Sequence, residues 1–165
     1  MSAQIRSQVA SAVRACEDKK GEDISILEMD KNSSAFTDYF VICSGKNPRQ
    51  IQAIADEVEL RLKREGFPAN QVEGYNQADW VLLDYVDFVV HIFSEAARKF
   101  YDLERLWKSA RKLTSDELRK SAARTVKGGK KAVGAGSGKS ATSRTTARKS
   151  ATRAGSTARR HRSSK

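Results

Sequence analysis

A run of five apolar and aromatic residues, Tyr39-Phe40-Val41-Ile42-Cys43, stands just ahead of a strongly marked amphipathic helix. A strand that is apolar at every position has no water-facing side, so it belongs in the middle of a sheet covered by helices. The covering helix follows at once. Gly45 and Lys46 end the strand, Asn47 can cap, and Pro48 suits the first helical position, where its missing N–H costs nothing. Ile51, Ile54, Ala55, Val58 and Leu62 then recur at the spacing of one helical face. Gly66 reads as the C-terminal stop and Pro68 blocks continuation.

The rest of the first two thirds of the chain fits around this unit. Ile5, Val9, Ala12, Val13 and Cys16 predict a helix over roughly residues 3–19, stopped at Lys19-Lys20-Gly21. Residues 23–30 alternate as a strand, with Ile24, Ile26 and Glu28 on one face and Ser25, Leu27 and Met29 on the other. Asn32-Ser33-Ser34 is turn-like. Residues 80–85 and 88–93 read as two strands so close together that they must form an antiparallel hairpin around Val86-Asp87. Period two puts Trp80, Leu82 and Asp84 on one face, and Val89, His91 and Phe93 on one face of the second strand. Val86 is an unusual turn residue, because a β-branched side chain resists positive φ. Ser94 caps a last predicted helix from Glu95 to about Ala110, with Phe100, Leu103, Trp107 and Ala110 as its inner stripe. The order helix, strand, strand, helix, strand, strand, helix predicts an α+β layer, helices packed on a mixed sheet.

Charge divides the chain more sharply than hydrophobicity. Residues 1–113 hold 16 Lys and Arg against 18 Asp and Glu, a balance of −2. Residues 114–165 hold 15 Lys and Arg against two acids, a balance of +13. The pI of 9.9 therefore describes the tail and not the expected domain. From residue 128 on there is no aromatic residue, no Leu or Ile, and one Val, so this segment is expected to be a disordered polycation. Its chemistry suits sequence-independent phosphate contact, with Arg144, Arg148, Lys149, Arg153, Arg159 and Arg160 as RNA-contacting candidates. Cys16 and Cys43 sit in apolar patterns and read as reduced core residues. No apolar run reaches the ~18 residues of a membrane span, the start lacks a signal-peptide pattern, and the expected location is the cytoplasm.

Several constellations invite chemistry and do not sustain it. Gly138-Lys139-Ser140 would end a P-loop, but the first glycine of that motif falls on Val133, and neither the preceding strand nor the following helix is present in the pattern. Asp38, Asp84 and Asp87 could be imagined holding magnesium, yet carboxylates at a hairpin turn are ordinarily turn-formers and surface charge. Asp84 stands out because it shares a strand face with Trp80 and Leu82, which points to a local hydrogen bond or to a partner. His91, between apolar neighbours, reads as a core or groove histidine with no nucleophile motif beside it. Soft ligands are too few and scattered for zinc. No catalytic residue, metal or cofactor is expected. Trp80, Tyr85, Phe93, Tyr101 and Trp107 are concentrated in 28 residues, and spacing does not separate core from interface among them.

The stretch from Ser34 through Phe36-Thr37-Asp38-Tyr39-Phe40 to Gly45, followed by Arg49-Gln50-Ile51-Gln52-Ala53-Ile54-Ala55-Asp56, resembles the ribosomal silencing factor (Iojap-like) family. So do Glu73-Gly74, Trp80-Val81-Leu82-Leu83-Asp84-Tyr85, His91-Ile92-Phe93 and the run from Arg98 to Trp107. The resemblance covers about residues 5–110. It implies a nucleotidyltransferase-like sheet without transferase activity, in a domain over 1–113 followed by the tail over 114–165. It further implies binding to the large ribosomal subunit through the fourteenth large-subunit ribosomal protein, steric obstruction of small-subunit joining, translational repression and a link to late large-subunit assembly. By motif match the contact surface includes Trp80, Asp84, Tyr85 and His91 on the hairpin. From the hairpin's end and the last helix it adds Phe93, Arg98 and Tyr101. A homodimer through the sheet region is compatible with the resemblance. Two features depart from it: the family usually has glycine at the position of Val86, and the basic tail lies outside the matching blocks.

Overall fold

The computed structural model describes residues 3–30 and 36–128. The turn expected at Asn32–Ser34, the glycine-rich stretch over 134–140 and the six tail cations named above lie outside the described residues.

The element with the strongest sequence signals forms as its residues require. Helix α2 (Pro48–Arg64) begins at Asn47, whose side chain accepts from the Gln50 N–H at 2.9 Å. Gln50 reciprocates, its Oε1 accepting from the Lys46 N–H at 2.8 Å, so two otherwise unpaired amides are satisfied at one end. The buried residues are Ile51, Ile54, Ala55, Val58 and Leu62, the stripe read from the sequence. Helix α1 (Ala3–Asp18) lies beside α2 and buries Val9, Ala12, Val13 and Cys16. Lys20 turns the chain out of it at φ 58°.

Strands β1 (Glu22–Glu28), β2 (Tyr39–Gly45), β3 (Gln71–Glu73), β4 (Trp80–Asp84), β5 (Phe88–Ser94) and β6 (Arg111–Leu113) make one six-stranded sheet in the order β3-β4-β5-β2-β1-β6. The pairs are antiparallel except β2 with β5, which run parallel at the centre, joined by the crossover through α2. The apolar strand β2 is therefore interior, as its composition requires. α1 and α2 cover one face. On that side Tyr39, Val41, Cys43, Val81, Leu83, Phe88, Val90 and Ile92 meet the two helices in the larger of two cores. Cys16 and Cys43 are both buried and free there; their mutual hydrogen bond, and then burial, hold the Cys16 thiol well above its usual pKa.

Two expectations need correction. The predicted continuous helix over 95–110 is broken. Helix α3 (Glu95–Tyr101) ends at Asp102, which adopts the left-handed conformation at φ 43°, and a single turn, α4 (Leu103–Leu106), restarts in a new direction. The break turns Phe100 outward, 81% exposed, while Leu103, Trp107 and Ala110 pack on the smaller core with Leu27, Ile42 and Phe93. The folded part also continues past residue 113. Arg111–Leu113 pairs with β1, and helix α5 (Ser115–Gly128) returns across α1 to place Leu118, 1% exposed, in the larger core. Thr114 caps this helix, accepting the Glu117 N–H at 3.2 Å while Glu117 Oε2 accepts the Thr114 N–H at 2.9 Å. β3 and β6 were not foreseen: each is three residues long and largely exposed, so neither carries an apolar pattern.

Candidate functional site

The second face of the sheet is only partly covered. Register puts Trp80 opposite Phe93, Leu82 opposite His91 and Asp84 opposite Val89 across β4 and β5, and Phe40 of β2 beside Val89. α3 and the turn α4 cover the Phe93 end. Towards the β4–β5 turn the face opens into a groove of ≈ 530 Å³ lined by Phe36, Phe40, Asp84, Val86, Val89 and Trp107, among others.

Aromatic rings run across this face in unbroken contact. Trp107 meets Phe40 at 5.8 Å between centroids, Phe40 meets His91 edge-on at 5.0 Å, and His91 lies parallel to Phe93 at 6.0 Å. Trp80 stacks on Phe93 at 5.1 Å and touches Tyr101 at 4.6 Å, and Tyr101 meets Phe100 edge-on at 5.1 Å. The inner rings are core. The outer ones face solvent: Tyr101 is 49% exposed. Leu106 of α4 is exposed as well.

His91 is the polar centre of this ladder. Trp80 Nε1–H donates to His91 Nδ1 at 3.1 Å, which fixes the neutral tautomer with its proton on Nε2. Nε2 has no hydrogen-bond partner among the described residues. Burial lowers the imidazole pKa to about 4, so the ring is uncharged at neutral pH and is unsuited to proton transfer there.

The residues predicted for the site separate into three groups. Trp80, Asp84 and Tyr101 reach the open face, with His91 and Phe93 beneath them as its buried floor. Arg98 ties the covering elements down: Nη1 donates to Ser44 Oγ at 2.9 Å and Nη2 pairs with Glu104 at 2.5 Å. Tyr85 is on the other face. It is 8% exposed and stacks on Phe88 at 4.8 Å in the larger core; its hydroxyl has no hydrogen-bond partner among the described residues, and burial raises its pKa. Strand alternation thus separates it from Trp80 and Asp84. Asp84 performs the local task foreseen for it, accepting the Val86 N–H at 2.7 Å and closing the turn. Val86 stands at φ 70°, in a region costing an L-residue roughly 1–2 kcal/mol. Phe36, Phe40 and Val86 complete the groove with Trp107, which spacing leaves undecided between core and interface. Phe40 in an all-apolar strand looks like any core residue, and a β-branched residue at the turn was the one signal for Val86.

Comparison with known proteins agrees with this architecture. Residues 2–155 match the family described as ribosomal silencing factor during starvation. The chain is 42% identical over 105 residues to the ribosomal silencing factor RsfS of Bacillus subtilis, covering 64% of this chain and 88% of that one. Over 111 residues it is 30% identical to the mouse protein named mitochondrial assembly of ribosomal large subunit protein 1, covering 66% of this chain and 47% of that one. A crystal structure of a protein from Chromobacterium violaceum superposes with a TM-score of 0.59 at 36% identity, covering 69% of this chain and 92% of that one. With its sheet, its motif blocks and these relatives in agreement, the chain belongs to the ribosomal silencing factor family.

Proposed function

We propose that the protein binds the large ribosomal subunit through the fourteenth large-subunit ribosomal protein and sterically prevents the small subunit from joining, so repressing translation without turnover. The observation that carries this reading is the half-covered aromatic face, where Trp80 and Tyr101 reach solvent above a rigid floor of His91 and Phe93. Large aromatic side chains on a preorganised base are what interface hot spots are made of. The rivals to a binding role are weaker in the described residues. The carboxylate of Asp84 is engaged in a turn, and the one buried histidine is uncharged at neutral pH and has no nucleophile beside it. A contact of roughly 800 Å² per partner, typical of stable complexes, is enough to occupy a docking surface. Participation in large-subunit assembly is a second reading, favoured by the name of the mouse relative. For the tail cations over 144–160 we propose ribosomal RNA contact that adds affinity mainly at low salt.

Sedimentation of the full chain with purified subunits through a sucrose gradient tests the reading. The expected result is co-migration with large subunits and fewer joined ribosomes. Trp80→Ala is expected to weaken that association by on the order of 2 kcal/mol. A chain that stays at the top of the gradient while subunits join normally would overturn it.

A further inference from the structure

The turn between β4 and β5 holds a residue that the fold has no use for. Val86 is β-branched, sits in the left-handed region at φ 70°, and leaves its side chain 63% exposed, so it adds little to either core. Its neighbours enforce the conformation. Asp84 accepts its N–H, Tyr85 N–H donates to Phe88 O at 3.0 Å, and Asp87 N–H donates to Tyr85 O at 2.8 Å. Glycine would meet these demands without strain. Strain maintained at an exposed position directs attention to what the side chain does outside the fold.

Val86 lines the open groove, as does Phe36, whose ring is fully exposed; Phe40, Val89 and Trp107 are the other large apolar groups on it. Among the described residues, Asp84 is the one charged residue on its walls, and no Lys or Arg lines it. Asn70 also lines the groove, and the Thr37 hydroxyl is buried, out of a visitor's reach. An apolar trough with one carboxylate selects a particular kind of visitor. It takes an apolar side chain whose chain neighbour is cationic.

We propose that Val86 and Phe36 are the walls of a socket that receives one apolar side chain of the docked ribosomal protein, with Asp84 receiving an adjacent Lys or Arg. The inference rests on the docking reading above and assigns it a second anchor point, away from Trp80. Charge complementarity selects the occupant: the negative groove suits the basic proteins of the ribosome better than the other apolar surface in reach, a second copy of this chain.

The test uses the full chain and purified large subunits, with binding titrated for the parent, Val86→Gly and Phe36→Ala, and melting temperatures measured alongside. Val86→Gly is expected to melt no lower than the parent, because strain is relieved, yet to bind about tenfold more weakly. Phe36→Ala, which removes a fully exposed ring, is expected to lose affinity with an unchanged melting temperature. Asp84→Asn keeps an oxygen for the Val86 amide and is expected to reduce the salt dependence of binding. Parental affinity in both Val86→Gly and Phe36→Ala would overturn the socket while leaving the docking reading intact. A concentration-dependent dimer of the parent, dissociated by Val86→Gly, would overturn it in favour of a second copy. If the parent itself does not bind large subunits, the docking reading fails and the socket with it.

Discussion

His91 carries a consequence for stability that its neighbours make measurable. Its folded-state pKa of about 4 lies below the value of about 6.5 that the unfolded chain provides. Between these values the unfolded state binds a proton and the folded state does not. Stability from this residue is therefore fully present above about pH 6.5 and lost as pH falls toward about 4, by on the order of 3 kcal/mol in total. Urea unfolding at pH 7, 6 and 5 is expected to show this decline in the parent, and a much flatter profile in His91→Phe between pH 7 and 6, where carboxylates have barely begun to titrate. Equal slopes in the two proteins would contradict the assignment. The same residue illustrates what sequence can and cannot convey. Alternation along β5 places His91 between Val89 and Phe93, so a face shared with apolar neighbours was legible. The bond from Trp80 was not, because it depends on the register that sets Leu82 opposite His91 and brings the indole within reach diagonally. Tyr85 gives the converse lesson. Period two already put it opposite Asp84, and motif likeness alone drew it onto the contact surface.

Among the elements, those with both a cap and an apolar stripe were the legible ones. α2 has Asn47, Pro48 and five buried stripe residues, and it forms as read. The last helix had a stripe but no internal stop in its pattern; Asp102 supplies one by taking the left-handed conformation, which Asp tolerates better than most residues. β3 and β6 have neither cap nor stripe. They exist because a neighbouring strand offers an edge, which no local pattern encodes. The loop from β3 to β4 rests on one glycine. Gly74 lies at φ 74°, and a Cβ there would meet the Trp80 carbonyl oxygen at 2.0 Å, with Ala78 N–H donating to the Gly74 carbonyl at 3.0 Å. Gly74→Ala thus forces the backbone of β4 to move at the position of its half-buried tryptophan. It is expected to cost about 3 kcal/mol or more and to lower the melting temperature by at least several degrees. A variant that melts within a degree of the parent would show that this loop yields more easily than the packing around it suggests.

For the whole molecule, the boundary of the fold was the least legible feature. Leu118 is the fully buried residue among the described side chains of α5, and with Ala122 and Val126 it makes a stripe in the sequence too short and too weakly apolar to stand out among so many charged residues. The helix is nonetheless part of the domain, held by that side chain and by Arg119, which pairs with Glu17 of α1 at 2.6 Å. Leu118→Ala is expected to cost about 2–5 kcal/mol, and a chain ending at residue 113 at least as much. Melting curves of both against the full chain check this, and an unchanged transition for the truncated chain would mean that α5 rests on the domain without stabilising it. The placement also has a consequence in time. A ribosome delivers α1 and β1 first and β6 and α5 last, yet the first pair completes its packing only against the last. Ile26 waits for its strand partner Leu113, and Glu17 for Arg119 across 102 residues of sequence. During vectorial synthesis the early segments are therefore out of the exit tunnel well before their partners exist. The domain therefore reaches its finished shape only once residues 111–128 have been made.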